Sequence, residues 1–257
     1  MIARSHFTRI ADADEVDAKT VERDYVLTHV LAAICQQSGS RNMVFKGGTA
    51  LRLCYFEDYR YSADLDFSLT GSMTTEQALD LVRAALFALT GDLGFTELSL
   101  SEDGKYIVYV GPLGGRRRIK LDLADDELVE ETATVGLLGR YPDQLDVQVC
   151  VYTLGEVAAE KLRCVIQRLQ ARDLFDLYEL FDGQALDAEH VWPSFERKAK
   201  HKRVDPARFA DSFEKRMPQW KIRWQGEMDE HVPGDPTPFE TIERAVRRAL
   251  RTRLRST

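Results

Sequence analysis

Cysteine is scarce in this chain, and its placement excludes more than its number. The four residues, Cys35, Cys54, Cys150 and Cys164, have no paired spacing that would build a zinc site. Cys35 and Cys164 fall in apolar helical patterns and are expected as small core residues. The five histidines are as dispersed as the cysteines, and none pairs with a cysteine or another histidine at ligand spacing. Neither zinc nor thiol chemistry is expected. Long apolar runs are also missing. Nothing approaches the roughly 20 residues that cross a bilayer, and the stretch from Met1 to Glu15 lacks the apolar core of a secretory leader. A cytoplasmic protein with no membrane partner is the expectation. Internal repeats and low-complexity segments are absent as well.

What is present is the composition of a folded globular chain. Of its 257 residues, 44% are hydrophobic and 30% charged, enough for one or two domains with real cores. The net charge of -7 hides an asymmetry: residues 193–257 carry 16 Lys and Arg against 10 Asp and Glu. The remainder is strongly acidic. Arg197, Lys198, Lys200, Lys202 and Arg203 cluster within Pro193 to Arg223. That segment reads either as a polyanion contact or as a solvated helix surface.

Strand signals concentrate between residues 43 and 152, and helical signals dominate afterwards. Thr20 to Gln36 has Leu27, Val30, Leu31 and Ile34 at helical spacing, with Glu22, Arg23 and Asp24 as polar positions near its start. A short apolar piece, Met43 to Phe45, leads through Lys46-Gly47-Gly48-Thr49 into a helix over Ala50 to Tyr55. Strands are expected over Asp64–Leu69, Tyr106–Val110, Arg117–Leu123 and Asp146–Tyr152, with Gly114-Gly115 as a hairpin turn and a helix over Leu79–Leu89. Thr153 and Glu156 form a capping-box pattern that opens a helix to about Gln170, and a second helix runs from Arg172 to Phe181. Three prolines and a glycine mark Val232–Pro238 as a linker before a final arginine-rich helix near Phe239. The order predicts an α+β chain: a catalytic domain over residues 1–155 and a helical domain over 156–257.

The chemistry lies in the strands. In Asp64-Leu65-Asp66-Phe67-Ser68-Leu69 side chains alternate, so Asp64 and Asp66 share the face opposite Leu65, Phe67 and Leu69. In Arg118-Ile119-Lys120-Leu121-Asp122-Leu123 the same rule puts Lys120 and Asp122 opposite Ile119, Leu121 and Leu123. Were the two strands neighbours, three carboxylates would converge. Two carboxylates ~4 Å apart repel by about 4 kcal/mol at an effective dielectric of 20, a cost that one or two Mg²⁺ ions remove. Two such ions would clamp the attacking and leaving oxygens of an in-line phosphoryl displacement. A bare Asp-x-Asp more often marks the solvent face of an edge strand. The preceding Gly47-Gly48-Thr49, between a strand and a helix, changes the balance, because backbone N–H groups at such a turn can hold a triphosphate.

Phe45-Lys46-Gly47-Gly48-Thr49-Ala50-Leu51-Arg52-Leu53 followed by Tyr61-Ser62-Ala63-Asp64-Leu65-Asp66-Phe67 resembles the signature of the AbiEii family of nucleotidyltransferase toxins. These belong to type IV toxin–antitoxin systems and are related to the mycobacterial MenT toxins. The likeness continues through Lys120-Leu121-Asp122, Glu156 to Lys161 and Arg172-Asp173-Leu174-Phe175-Asp176-Leu177-Tyr178, and covers roughly residues 20–180. Two departures are a threonine where many nucleotidyltransferases carry serine, and fourteen residues between Thr49 and Asp64.

The resemblance implies a DNA polymerase β-like fold, with a mixed sheet, flanking helices and a helical C-terminal half. It implies that Lys46, Gly47, Gly48, Thr49 and Ser62 lie at the NTP, and that Asp64, Asp66 and Asp122 bind Mg²⁺. Lys161 and Asp173 match later motifs needed for activity, with Lys161 and Asp176 also near the nucleotide. The activity implied is transfer of NMP from an NTP to an RNA acceptor, the 3′ end of tRNA, blocking translation and growth, with a cognate antitoxin encoded nearby. The alternatives are an NTP-binding regulatory module, or nucleotidyl transfer to a protein hydroxyl.

Overall fold

The computed structural model describes residues 2–92, 95–229 and 231–254. The chain divides into two compact units. The first comprises Met1–Asp126, Thr132–Tyr152 and His231–Gly234; the second comprises Glu127–Glu131, Thr153–Glu230 and Asp235–Thr257.

The first unit is built on a seven-stranded mixed sheet of β1 (Met43–Lys46), β2 (Asp64–Leu69), β3 (Glu97–Leu100), β4 (Tyr106–Val110), β5 (Arg116–Ala124), β6 (Thr132–Gly136) and β7 (Gln148–Tyr152). Their order is β3-β4-β5-β2-β1-β7-β6, with β2/β5 and β1/β7 parallel and the other pairs antiparallel. The alternation read from the sequence decides which face is buried. Leu65 and Phe67 of β2, Ile107 and Tyr109 of β4, and Ile119 and Leu121 of β5 are at most 4% exposed and belong to one core cluster. Helices α1 (Arg4–Asp14), α2 (Ala18–Cys35) and α4 (Thr75–Asp92) pack with one another and with the sheet, α4 against β3 and β5. The hairpin turn is where the glycines place it. Gly114 and Gly115 have φ of 75° and 79°, a conformation that favours glycine, between antiparallel β4 and β5.

Helix α2 differs from the expectation of a polar start. It is buried almost throughout, and Glu22 and Asp24 are 0% and 1% exposed. Both survive there because each has a cation. Glu22 pairs with Arg117, and Asp24 accepts Arg52 Nε at 2.5 Å. Between β1 and β2 the chain forms α3 (Gly47–Ala50), which widens over Leu51–Tyr55 into a turn closed by Phe56 N–H donating to the Leu51 carbonyl. Helix α1 and strands β3 and β6 were not foreseen.

The second unit is helical: α5 (Leu154–Gln167), α6 (Ala171–Tyr178), α7 (Ala188–His201), α8 (Phe209–Met228), α9 (Phe239–Ala249) and α10 (Arg251–Leu254). The expected cap of α5 is half present. Thr153 accepts from Glu156 N–H, while the Glu156 carboxylate, 3% exposed, turns to Glu130 N–H and to Lys198 Nζ at 2.5 Å. A core of Trp192, Phe195, Phe209, Phe213, Trp220 and Trp224 holds α7 and α8. Among the described residues no helix is long and apolar enough to cross a membrane.

Candidate active site

The register between β2 and β5 gathers the acids. Because these strands are parallel and adjacent, Asp64 lies beside Lys120 and Asp66 beside Asp122, while Leu65 and Leu121 between them point into the core. Asp64, Asp66, Lys120 and Asp122 therefore share the face turned away from α2 and α4. The antiparallel β1/β2 pair adds Lys46, which stands opposite Asp66 with its ammonium 5.9 Å from the centre of the Tyr152 ring.

The glycine turn closes on the same acids. Gly47 has φ of 80°, and a Cβ there would come within 2.6 Å of Asp66 Oδ2. A side chain would thus strain the backbone and displace the carboxylate together. Gly48 is held from its other side, since a Cβ there would overlap the Arg60 guanidinium. Thr49 is fully buried. Its hydroxyl donates to the Asp64 carbonyl at 2.5 Å and hydrogen-bonds Ser62 Oγ at 2.8 Å. Thr49 and Ser62 thereby tie the turn to the first residue of β2. Arg60 was missed in the sequence. Its signal was a cation two residues before Ser62, and it is 3% exposed, with Nη1 donating to the Tyr61 carbonyl at 3.2 Å.

Lys120 is the counter-charge common to the acids. It lies 3.0 Å from Asp122 Oδ2, with both side chains about half exposed. That hydrogen bond lifts its ammonium above the ordinary lysine range. Partial burial opposes the shift, and the charges of Asp122, Asp66 and Asp64 add to it. Among the described residues no three acidic, histidine or cysteine side chains are drawn together to ligand distance. The donor set is nonetheless the kind a hard divalent cation takes: three aspartates on one sheet face, with glycine rather than a bulkier residue against one of them.

The remaining expected residues form a cluster inside the second unit. Lys161 is buried. Its side chain is 8% exposed and reaches Asp173 Oδ1 at 2.9 Å and Asp176 Oδ2 at 2.6 Å, and those carboxylates are 1% and 0% exposed. Arg168 is the second cation on Asp173, with Nε and Nη2 at 2.8 and 2.9 Å. Burial pushes the Asp173 carboxyl up, but the Lys161 charge and the contacts from Arg168 outweigh it and hold the group below the usual range.

The basic segment is also less free than its composition implies. Lys198 is 1% exposed, paired to Glu156, and donates to the Leu128 carbonyl at 2.5 Å. Arg197 pairs with Glu130, and Lys202 with Glu127 at 3.3 Å. Three of its five clustered cations are thus matched within their own unit. A cavity of about 400 Å³ in the first unit, lined by Asp14, Asp24, Arg52, Tyr61, Arg140 and Tyr141, contains none of the three acids. Its polar walls are largely satisfied internally, by Arg52 on Asp24, Tyr141 on Asp24 and Tyr61 on Asp14.

Comparison with known proteins bears on family and fold. The model of the family described as "Nucleotidyl transferase AbiEii toxin, Type IV TA system" matches residues 29–251. Among solved structures the chain is similar to MenT4, a nucleotidyltransferase toxin from Mycobacterium tuberculosis, at 21% identity and a TM-score of 0.71, covering 99% of this chain and 89% of that one. That likeness is one of fold. An antigenic nucleotidyltransferase-like protein from Paracoccidioides brasiliensis aligns at 13% identity and a TM-score of 0.39, over 73% of this chain and 92% of that one. No curated protein sequence matches the chain.

Proposed function

We propose that this chain, which belongs to the AbiEii family of nucleotidyl transferase toxins of type IV toxin–antitoxin systems, transfers NMP from an NTP to a hydroxyl at the 3′ end of a tRNA. The reading is carried by one observation, the pairing of Asp66 with Asp122 across parallel strands directly beside Gly47. The acceptor oxygen forms a bond to the α-phosphorus, the bond from that phosphorus to the β-phosphate oxygen breaks, and pyrophosphate leaves. The hydroxyl proton passes to one of the three carboxylates or to solvent. A Mg²⁺ ion bound by Asp64, Asp66 and Asp122 would neutralise phosphate charge and polarise the reacting oxygens.

The chain's own residues do the rest. The turn Gly47-Gly48-Thr49 presents main-chain N–H groups to the phosphates, pinned by the Thr49 and Ser62 hydroxyls below it and by Arg60 against Gly48. Lys46 and Lys120, on the face of the acids, contribute positive charge. Lys161, Asp173 and Asp176 form the internal ion cluster of the second unit, and the role in activity that the family motifs imply for them is part of this reading. The cytoplasm is the setting proposed for the reaction. Modification of the tRNA terminus would block aminoacylation and stop growth, and the type IV family implies a cognate antitoxin as partner.

Incubating the protein with each labelled NTP, Mg²⁺ and either bulk tRNA or total protein tests the reading. Label is expected on tRNA. Label on protein instead, or tight NTP binding with no label on either, overturns it.

A further inference from the structure

The strand that carries Asp122 continues away from the acids as a cationic row. Arg116, Arg118 and Lys120 alternate with buried or half-buried residues along β5, and all three are exposed, on the same face as Asp122. Successive members of the row lie about 6.6–6.8 Å apart, the rise of two residues in a strand. Opposite them on β4 stand Tyr106, Val108 and Val110, facing Lys120, Arg118 and Arg116 in register and half-buried.

The charges in this row are not equivalent. Arg116 is spent on Glu97, with three contacts of 3.0–3.1 Å, and Lys120 on Asp122. Arg118 has no carboxylate partner among the described residues. Its guanidinium lies over the Tyr106 ring, 4.4 Å from the centroid. An exposed guanidinium stacked on a half-exposed tyrosine, flanked by two valines on an open sheet face, offers flat surfaces for bases and a charge for a phosphate. A peptide adding as a strand would need a sheet edge, and β4 and β5 are both interior strands with neighbours on each side.

We infer that the single-stranded end of the RNA acceptor lies across the outer face of β4 and β5. Its bases stack on Tyr106 and the plane of Arg118, its backbone meets Arg118, and the row leads its terminal hydroxyl toward Asp122. This rests on the transfer to RNA proposed above. It moves the acceptor contact from the basic C-terminal segment, where Arg197, Lys198 and Lys202 are already paired, to the first unit.

The test uses the full chain and bulk tRNA carrying a 5′ fluorophore, with anisotropy for binding and labelled NTP for transfer. Tyr106→Ala is expected to weaken tRNA binding by about five- to hundredfold, the loss of one stacked base, while Tyr106→Phe binds as wild type does. Arg118→Glu is expected to weaken it at least tenfold, with Arg118→Lys intermediate. Arg118→Ala should lower the salt dependence of binding by about one phosphate contact. In each weakened variant the KM for tRNA rises and NTP affinity does not change. Thermal melts matching wild type for the Arg118 series keep the result independent of folding. Tight tRNA binding by both Arg118→Glu and Tyr106→Ala, with Asp64→Ala still abolishing transfer, overturns this assignment and leaves the transfer reading standing. An equal loss in Lys200→Glu, at an exposed cation of α7, also overturns it, as generic electrostatics. Label appearing on protein rather than RNA overturns both.

Discussion

Lys161→Met separates structure from chemistry at a residue that the family signature marks as functional. The lysine side chain is 8% exposed and holds two carboxylates that are 1% and 0% exposed, at 2.9 and 2.6 Å. Methionine retains an unbranched stem of similar length and deletes the charge. Asp173 then keeps Arg168, a half-exposed cation, and Asp176 loses its contact with the ammonium. Breaking a buried pair by removing one partner costs about 3–5 kcal/mol. At roughly 2–4 °C per kcal/mol for a chain of this size, Tm at pH 7 should fall by on the order of 10 °C.

The pH dependence fixes the cause. In the native protein Asp173 lies below its unfolded value of about 3.9. Its contribution is therefore complete above that pH and is lost as pH falls through the folded pKa. Without Lys161, burial is less opposed and the folded pKa rises, so the variant recovers relative stability on acidification. The gap in Tm between wild type and Lys161→Met should be widest near pH 7 and narrow toward pH 4.5, as followed by circular dichroism melts. A variant within 2 °C of wild type at pH 7, or a gap that widens in acid, refutes the structural role assigned to this lysine.

Other outcomes follow from the same geometry. Asp64→Ala should abolish both labelled-NTP transfer and growth toxicity while leaving the melt close to wild type, because Asp64 is half-buried on the open face; persistent toxicity defeats the metal-centred mechanism. Gly47→Ala pays about 1–2 kcal/mol for the left-handed backbone and pushes Asp66, and a displacement of ~1 Å at a reacting site costs about a hundredfold in rate. Full activity in single-turnover transfer assays would remove Asp66 from the site. Lys198→Ala, which strands the buried Glu156, should lower stability by about 3 kcal/mol or more, whereas Arg197→Ala, at an exposed pair, should barely move Tm in a chemical or thermal melt.

Much of the acid-bearing face was legible because a strand's period is fixed. Asp64 and Asp66 must share a face, as must Lys120 and Asp122, and the apolar residues between them say which face is inward. Adjacency of the two strands was an assumption that the register bears out. The weaker elements were lost for local reasons. β6 (Thr132–Gly136) is an edge strand with alternating exposed and half-buried positions and, among the described residues, pairs only with β7, so its sequence carries little apolar signal. The start of α4 had a usable cue. Thr74 accepts from Gln77 N–H and Gln77 Oε1 accepts from Thr74 N–H, a reciprocal cap spelled by a threonine and a glutamine three apart, beginning five residues before the expected start at Leu79.

Charged residues misled where polarity was equated with solvent. Glu22 meets Arg117 across 95 residues and Asp24 meets Arg52 across 28, and helix periodicity gives no hint that either pair exists. The same blindness inflated the basic C-terminal segment. Its excess of Lys and Arg is a property of composition, while attraction for a polyanion depends on charge left unmatched at the surface. Lys198 lies in a buried pair with Glu156, and Arg197 and Lys202 are turned to Glu130 and Glu127, acids that lie far away in sequence. β5 shows the opposite case. A short row of cations inside the acidic half contributes almost nothing to a charge count, yet it leaves Arg118 exposed, stacked on Tyr106 and without an acid partner among the described residues, on the face of Asp122. Where net charge and local pairing disagree, pairing decides which cations a phosphate can reach.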